Sequence, residues 1–209
     1  MAVGILNTHT RYGIVAILLH WLMAVLVVGL YALGVIMEDM KPSLRQFELY
    51  QLHKSLGITV LLLTVIRLVW RIANPQPDLP ATMPRWQKIA AKTTHWGFYA
   101  LLLAAPLAGW ALVSASSLNV PTVIFGLVTL PHIEQIAASP AKQALEGTFE
   151  DLHNLFADGL LVLFLIHVAA ALYHHIRLRD PVLLNMLAVS ERTYQERAHQ
   201  SGVKKQEAP

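Results

Sequence analysis

Residues 152–176 read LHNLFADGLLVLFLIHVAAALYHHI, an apolar run with histidines at 153, 167, 174 and 175. A helix needs about 20 mostly apolar residues to cross roughly 30 Å of hydrocarbon, and this segment is long enough. His153 and His167 stand 14 residues apart. On an α-helix that spacing advances about 21 Å and returns to within roughly 40° of the starting face. One side of this helix therefore presents two imidazoles, one toward each membrane surface. A bundle interior shields such polar rings from lipid, so partners are expected on neighbouring helices.

Three further segments have spanning character: about Ile14 to Met37, Ser55 to Ala73, and Thr93 to Ser114. The second is the shortest and is interrupted by Arg67, but Lys54 and Arg71 with Asn74-Pro75-Gln76-Pro77 delimit it. The first is too long for a secretion-signal core and lacks a small-residue cleavage site, so it reads as a retained helix. Leu118 to Leu130 is apolar yet short and holds Pro121 and Gly126, which suits an interfacial or re-entrant stretch. Composition agrees. Of 209 residues, 55% are hydrophobic and 14% charged, against about 25% charged in soluble domains. Mean hydropathy is +0.49. The expected fold class is an all-α, integral membrane four-helix bundle. Residues 1–180 form one transmembrane domain and 181–209 a cytoplasmic tail, with a polar helix expected over 185–200.

Lys and Arg in short loops orient a membrane protein. The second connection and its helix ends carry Arg67, Arg71, Arg85, Lys88 and Lys92. The tail carries Arg177, Arg179, Arg192, Arg197, Lys204 and Lys205. The first connection has Lys41 and Arg45, and the third has Lys142 beside Glu134, Glu146, Glu150 and Asp151. Both termini are thus expected in the cytoplasm, with the first and third loops outside. The net charge of +3 comes without the aromatic–basic interleaving of a nucleic-acid binder.

Depth sorts the histidines. His20 lies nine residues inside Arg11 and His167 ten before Arg177, about 13–15 Å along their helices. His53 and His153 sit at the opposite ends of the second and fourth spans. Two depth-matched pairs result, His20 with His167 and His53 with His153. Iron in a porphyrin leaves two axial positions, which two facing imidazoles fill. The absence of cysteine excludes iron–sulfur clusters, disulfides and thioether haem attachment, so the haem would be b-type and non-covalent. Gly57 and Gly13, near the histidine faces, would admit a bulky ring. Arg67 lies 14 residues beyond His53, and a haem propionate would pair its charge. His95, shallow beside Lys92, suits a hydrogen bond to a propionate or quinone. A single intramembrane histidine is more often an interhelical hydrogen bonder than a ligand, but four in two layers favour haem. A zinc or iron site normally needs three or four ligands at one depth. His174 is the main rival to His167. His9, His132 and His199 read as surface residues, and the five tryptophans as interface-belt or packing residues.

Several segments carry a family resemblance: LLHWLMAVLV around His20, LHKSLGITVLLLTVIRLVWR around His53, KTTHWGFYALLLAAPLAGW, and DLHNLFADGLLVLFLIHVAAALYHH. With the paired histidines of the last and the H-x-x-x-G of the second, the chain resembles the bacterial cytochrome b561 family over about residues 9–188. The long tail and extended third loop are less typical. The resemblance implies an inner-membrane carrier holding two b haems between four helices and exchanging electrons with ubiquinone. It implies His20, His53, His153 and His167 as axial ligands. Some members are regarded as superoxide oxidases, which makes superoxide a candidate donor and superoxide:quinone oxidoreductase a candidate activity. Two alternatives stand beside this one. The chain could be the cytochrome b anchor of a hydrogenase- or dehydrogenase-type complex, with a soluble redox partner, or a haem-free transporter or structural membrane protein.

Overall fold

The computed structural model describes residues 4–79 and 83–187. Most of the 181–209 tail, including Arg192, Arg197, His199, Lys204 and Lys205, lies outside the described residues, as does most of the polar helix expected over 185–200.

Among the described residues the fold is all-α apart from one small hairpin. Helices α1 (Ile14–Glu38), α2 (Leu44–Ala73), α3 (Arg85–Ala115) and α5 (Lys142–Tyr173) are the long elements, and α4 (Glu134–Ala137) is a single short turn. Helix α5 continues into a π turn over His174–Leu178. Among the described residues these four long helices have the length and hydropathy to cross a membrane. Three of them start earlier than the apolar spans do. Helix α2 begins at Leu44 rather than near Ser55, α3 at Arg85 rather than Thr93, and α5 at Lys142 rather than Leu152. Leaving the hydrocarbon does not end a helix, because its backbone bonds are internal. Capping does decide the end. Ser43 Oγ accepts the Gln46 amide at 3.2 Å, and Gln46 Nε2 donates to the carbonyls of Met37 and Met40 at the close of α1.

The chain groups into two compact units, each drawing on all four long helices. One comprises residues 23–65 and 98–161. Its core is Met23, Val60, Leu102, Ala105 and Leu160, one or two residues from each long helix, flanked by Leu26, Leu63 and Phe156. The hydroxyls of Ser55, Thr64 and Ser114 are buried there and bond back to carbonyls four residues earlier, so they enter the core satisfied.

The second unit comprises residues 4–22, 66–79, 83–97 and 162–187. Its N-terminal segment is strapped down by buried Asn7, which accepts the Gly13 amide at 2.9 Å and donates to Pro75 O at 3.1 Å. Gly13 is therefore needed for a different reason from the one expected. A Cβ there would run into the backbone of Ile5 and Leu6, so the residue makes room for the strap rather than for a ring beside His20.

Many large apolar side chains face outward, among them Val25, Val69, Ile72 and Val162. Such a surface in water would be a liability; against lipid tails it carries no cost. The apolar stretch after α3 folds as an antiparallel hairpin, β1 (Thr122–Ile124) with β2 (Val128–Leu130), in register Ile124 opposite Val128.

Candidate functional site

Within the first unit His53 of α2 faces His153 of α5, with ring centroids 6.0 Å apart and planes at 77°. His153 Nδ1 donates to the carbonyl of Ala105 at 2.8 Å. A carbonyl only accepts, so the neutral ring carries its proton on Nδ1 and its lone pair on Nε2. That is the tautomer a metal-ligating histidine adopts when its other nitrogen is held by a backbone carbonyl. The ring lies over Gly109, where a Cβ would stand 3.1 Å from His153 Cε1. On α1, a Cβ at Gly34 would reach 3.7 Å from His53 Cε1. His53 Nδ1 is buried and makes no hydrogen bond among the described residues. At Gly57 a Cβ would meet no described atom within 4 Å, which leaves that face of α2 able to admit a flat group.

In the second unit His20 of α1 faces His167 of α5 at a centroid separation of 6.1 Å and 58° between planes. His95 of α3 is also close to His167, at 6.2 Å. Arg67 Nη2 donates to His20 Nδ1 at 3.0 Å. Arg67, expected to hold a propionate, is thus within reach of the second pair, and His95 stands in the same cluster. Ring spacing is equal for His20 and His95. His167 thus has two imidazole neighbours at like distance; His20 is the partner that its place in the sequence, nine residues inside Arg11, favours.

The spacing has a chemical meaning. Two imidazoles bonding one metal through bonds of about 2 Å have ring centroids roughly 6 Å apart. Both facing pairs meet that requirement. Among the described residues no group of three or more His, Asp or Glu is arranged to hold a metal ion by itself. Each pair therefore offers two ligands only, the number that a porphyrin iron leaves open. The residues fit haem better than a bare ion.

His174 is engaged elsewhere: Nδ1 donates to Asp180 Oδ2, and Asp180 Oδ1 accepts the Val182 amide at 3.0 Å. This pair closes the π turn, where Arg179 takes a left-handed conformation. His9 is exposed, and its carbonyl accepts the Asp78 amide. Two tryptophans tie loops to helices, Trp21 to Met186 O at 2.7 Å and Trp110 to Pro131 O at 3.0 Å. Sequence reasoning passed over Gly34, Ala105, Gly109 and Asp158. The A-x-x-x-G spacing of Ala105 and Gly109 was the available signal, since small residues four apart open a helix face. Asp158, a carboxylate inside the apolar run, accepts a hydrogen bond from Tyr31 at 3.0 Å.

Four membrane-length helices with two facing imidazole pairs and no cysteine define an integral membrane cytochrome of the b type. The family model for prokaryotic cytochrome b561 matches residues 11–188, and the chain belongs to that family. It is 33% identical to cytochrome b561 homolog 2 of Escherichia coli over 190 residues, covering 90% of this chain and 97% of the relative. It is 30% identical to the probable superoxide oxidase CybB of Yersinia pestis, over 86% of this chain and 97% of that protein. A cytochrome b562 of Cereibacter sphaeroides is likewise 30% identical, over 84% of this chain and 94% of the relative. Membership brings b-type haem binding with it.

Proposed function

We propose that this chain carries electrons across the inner membrane between a donor on the side opposite its termini and the quinone pool. Two b haems serve the path, one held by His53 and His153, the other by His20 and His167. The observation that carries the reading is the repeated 6 Å spacing of two imidazole pairs that share helix α5. A bound b haem supplies reversible one-electron exchange at its iron. The residues set its terms. Two histidines at each site would hold the iron and leave it no open position, which would favour outer-sphere transfer over oxygen activation. The Ala105 carbonyl fixes the His153 ring and raises the basicity of its free nitrogen. The guanidinium of Arg67, already directed at the second pair, is suited to a propionate. If His20 held the iron through Nε2, its proton would sit on Nδ1, and the Arg67 guanidinium would then be available to such an anion. His95, in the same cluster, is placed to donate to a propionate or quinone oxygen. The K/R distribution supports cytoplasmic termini and a periplasmic position for the first and third loops.

The Yersinia relative's name supports superoxide as the donor. A small anion is drawn by local positive charge. Arg45 is partly neutralised by Glu48 at 3.4 Å, whereas Lys54, next to His53, is held by the Pro121 carbonyl at 3.1 Å. Lys54 is therefore the better-placed cation. In proteoliposomes supplied with superoxide and a ubiquinone analogue, quinone reduction is expected to fall in Lys54→Glu and to lose much of its salt dependence. An unchanged rate that keeps the wild-type salt dependence in that variant would remove the steering role. No superoxide-driven quinone reduction by the haem-loaded wild-type protein would remove superoxide as donor.

A further inference from the structure

The hairpin between α3 and α4 presents its side chains in an unusual way. Leu118, Phe125, Leu127 and Val128 are 80%, 53%, 85% and 61% exposed. Residues 116–131, SSLNVPTVIFGLVTLP, contain no charge. Phe125 and Gly126 occupy the turn with φ of 48° and 74°. A bulky aromatic at positive φ is disfavoured by about 1 kcal/mol or more, and such strain persists where the side chain is put to use.

The backbone of the hairpin is satisfied from α2. Gln51 Nε2 and Lys54 Nζ both donate to Pro121 O, and Gln51 Oε1 accepts the Val123 amide. Ser55 Oγ accepts the Phe125 amide at 3.0 Å. At its far end Trp110 donates to Pro131 O, and Ser114 Oγ accepts the Ile133 amide. These anchors mark a level. Helix α2 carries charged and amide side chains up to Lys54 and none from Ser55 to Ile66, so Gln51, Lys54 and Ser55 lie where it enters hydrocarbon. Lysine and tryptophan are the residues that gather at such a boundary.

We propose that the tip of this hairpin inserts into the headgroup–acyl boundary of the leaflet on the side opposite the termini, with Phe125 and Leu127 as the inserted side chains. Three observations converge on lipid as the occupant. The tip is apolar without charge, the amides of Phe125 and Leu127 at its turn are already paired, and its anchors lie at the membrane boundary. A protein partner would ordinarily meet a polar rim around an apolar centre. The anchors flank His53, so the insertion also fixes the end of α2 that carries this histidine.

The chain has no cysteine, so single-site labelling is clean. The full-length, haem-loaded Leu127→Cys protein carries a nitroxide in phosphatidylcholine–phosphatidylglycerol vesicles. Collision with oxygen is then compared with collision with a water-soluble nickel chelate. Labels at Gln135→Cys and Val162→Cys give the aqueous and lipid references. The expected oxygen-to-nickel ratio at Leu127 is several-fold above that at Gln135 and below that at Val162. A ratio equal to that at Gln135 overturns the proposal, and so does an immobilised label shielded from both reagents, the mark of a protein contact. Asparagine tolerates positive φ, so Phe125→Asn keeps the turn. In that background the Leu127 label is expected to move toward the aqueous value with no loss of thermal stability. A label that stays in place overturns the anchoring role of Phe125.

Discussion

Replacing His153 and His167 together with alanine is expected to give a chain that reaches the membrane but is colourless. Helix α5 contributes one imidazole to each facing pair, at centroid separations of 6.0 Å and 6.1 Å. The double substitution leaves His53 and His20 each without its partner, and neither group can then fill both axial positions of an iron. Intramembrane histidines that merely bonded neighbouring helices would give a different result, because their loss costs packing and leaves haem in place. Haem per chain, measured by absorbance after detergent extraction, separates the two. Near-complete loss is expected; wild-type haem content would dismiss these ligands.

The second large effect belongs to a residue that binds nothing. Gly109→Leu should empty one site and spare the other, taking haem per chain from about two to about one. The His153 ring already stands 3.1 Å from where a Cβ at 109 would be, and its Nδ1 is fixed on Ala105 O one turn away. A leucine side chain must push the ring out of its seat, and overpacking of this kind typically costs about 1–3 kcal/mol. Gly147→Ala on α5 is the control, because a Cβ there meets no described atom within 4 Å. Gly147→Ala should retain full haem content. Equal haem in Gly109→Leu and wild type would show that the His153 seat is not a binding feature.

The legible parts of this protein were those set by periodicity and depth. Hydropathy alone marks the four long helices, because a bilayer demands long apolar runs. The two imidazole pairs follow from helix rise and loop charge, and the structure brings His53 to His153 and His20 to His167. Features that depend on three-dimensional neighbours were harder to read. Gly13 serves the Asn7 strap, a contact set by Ile5 and Leu6 folding back, which no spacing rule encodes. Gly34 and Gly109 seat the rings because of which helix lies opposite them. His95 reaches His167 because α3 starts at Arg85, ten residues earlier, so His95 stands nearly three turns inside the helix rather than at its polar end. The helix starts at Leu44, Arg85 and Lys142 lie outside the apolar runs, where hydropathy does not set the limit; at Leu44 the Ser43 cap does. The hairpin was legible only as an apolar, proline-broken stretch; its pairing depends on Gln51 and Ser55, some 70 residues away.

The central claim is that two imidazole pairs each hold one b haem. The most direct measurement is haem per chain, with a reduced-minus-oxidised spectrum, for the wild type and for His20→Ala, His53→Ala, His153→Ala and His167→Ala singly. About two haems are expected in the wild type and about one in every single variant. The residual spectrum should be shared by His53→Ala and His153→Ala, and a different one by His20→Ala and His167→Ala. A colourless wild-type protein would contradict the account, as would a variant set whose spectra do not sort into those two pairs.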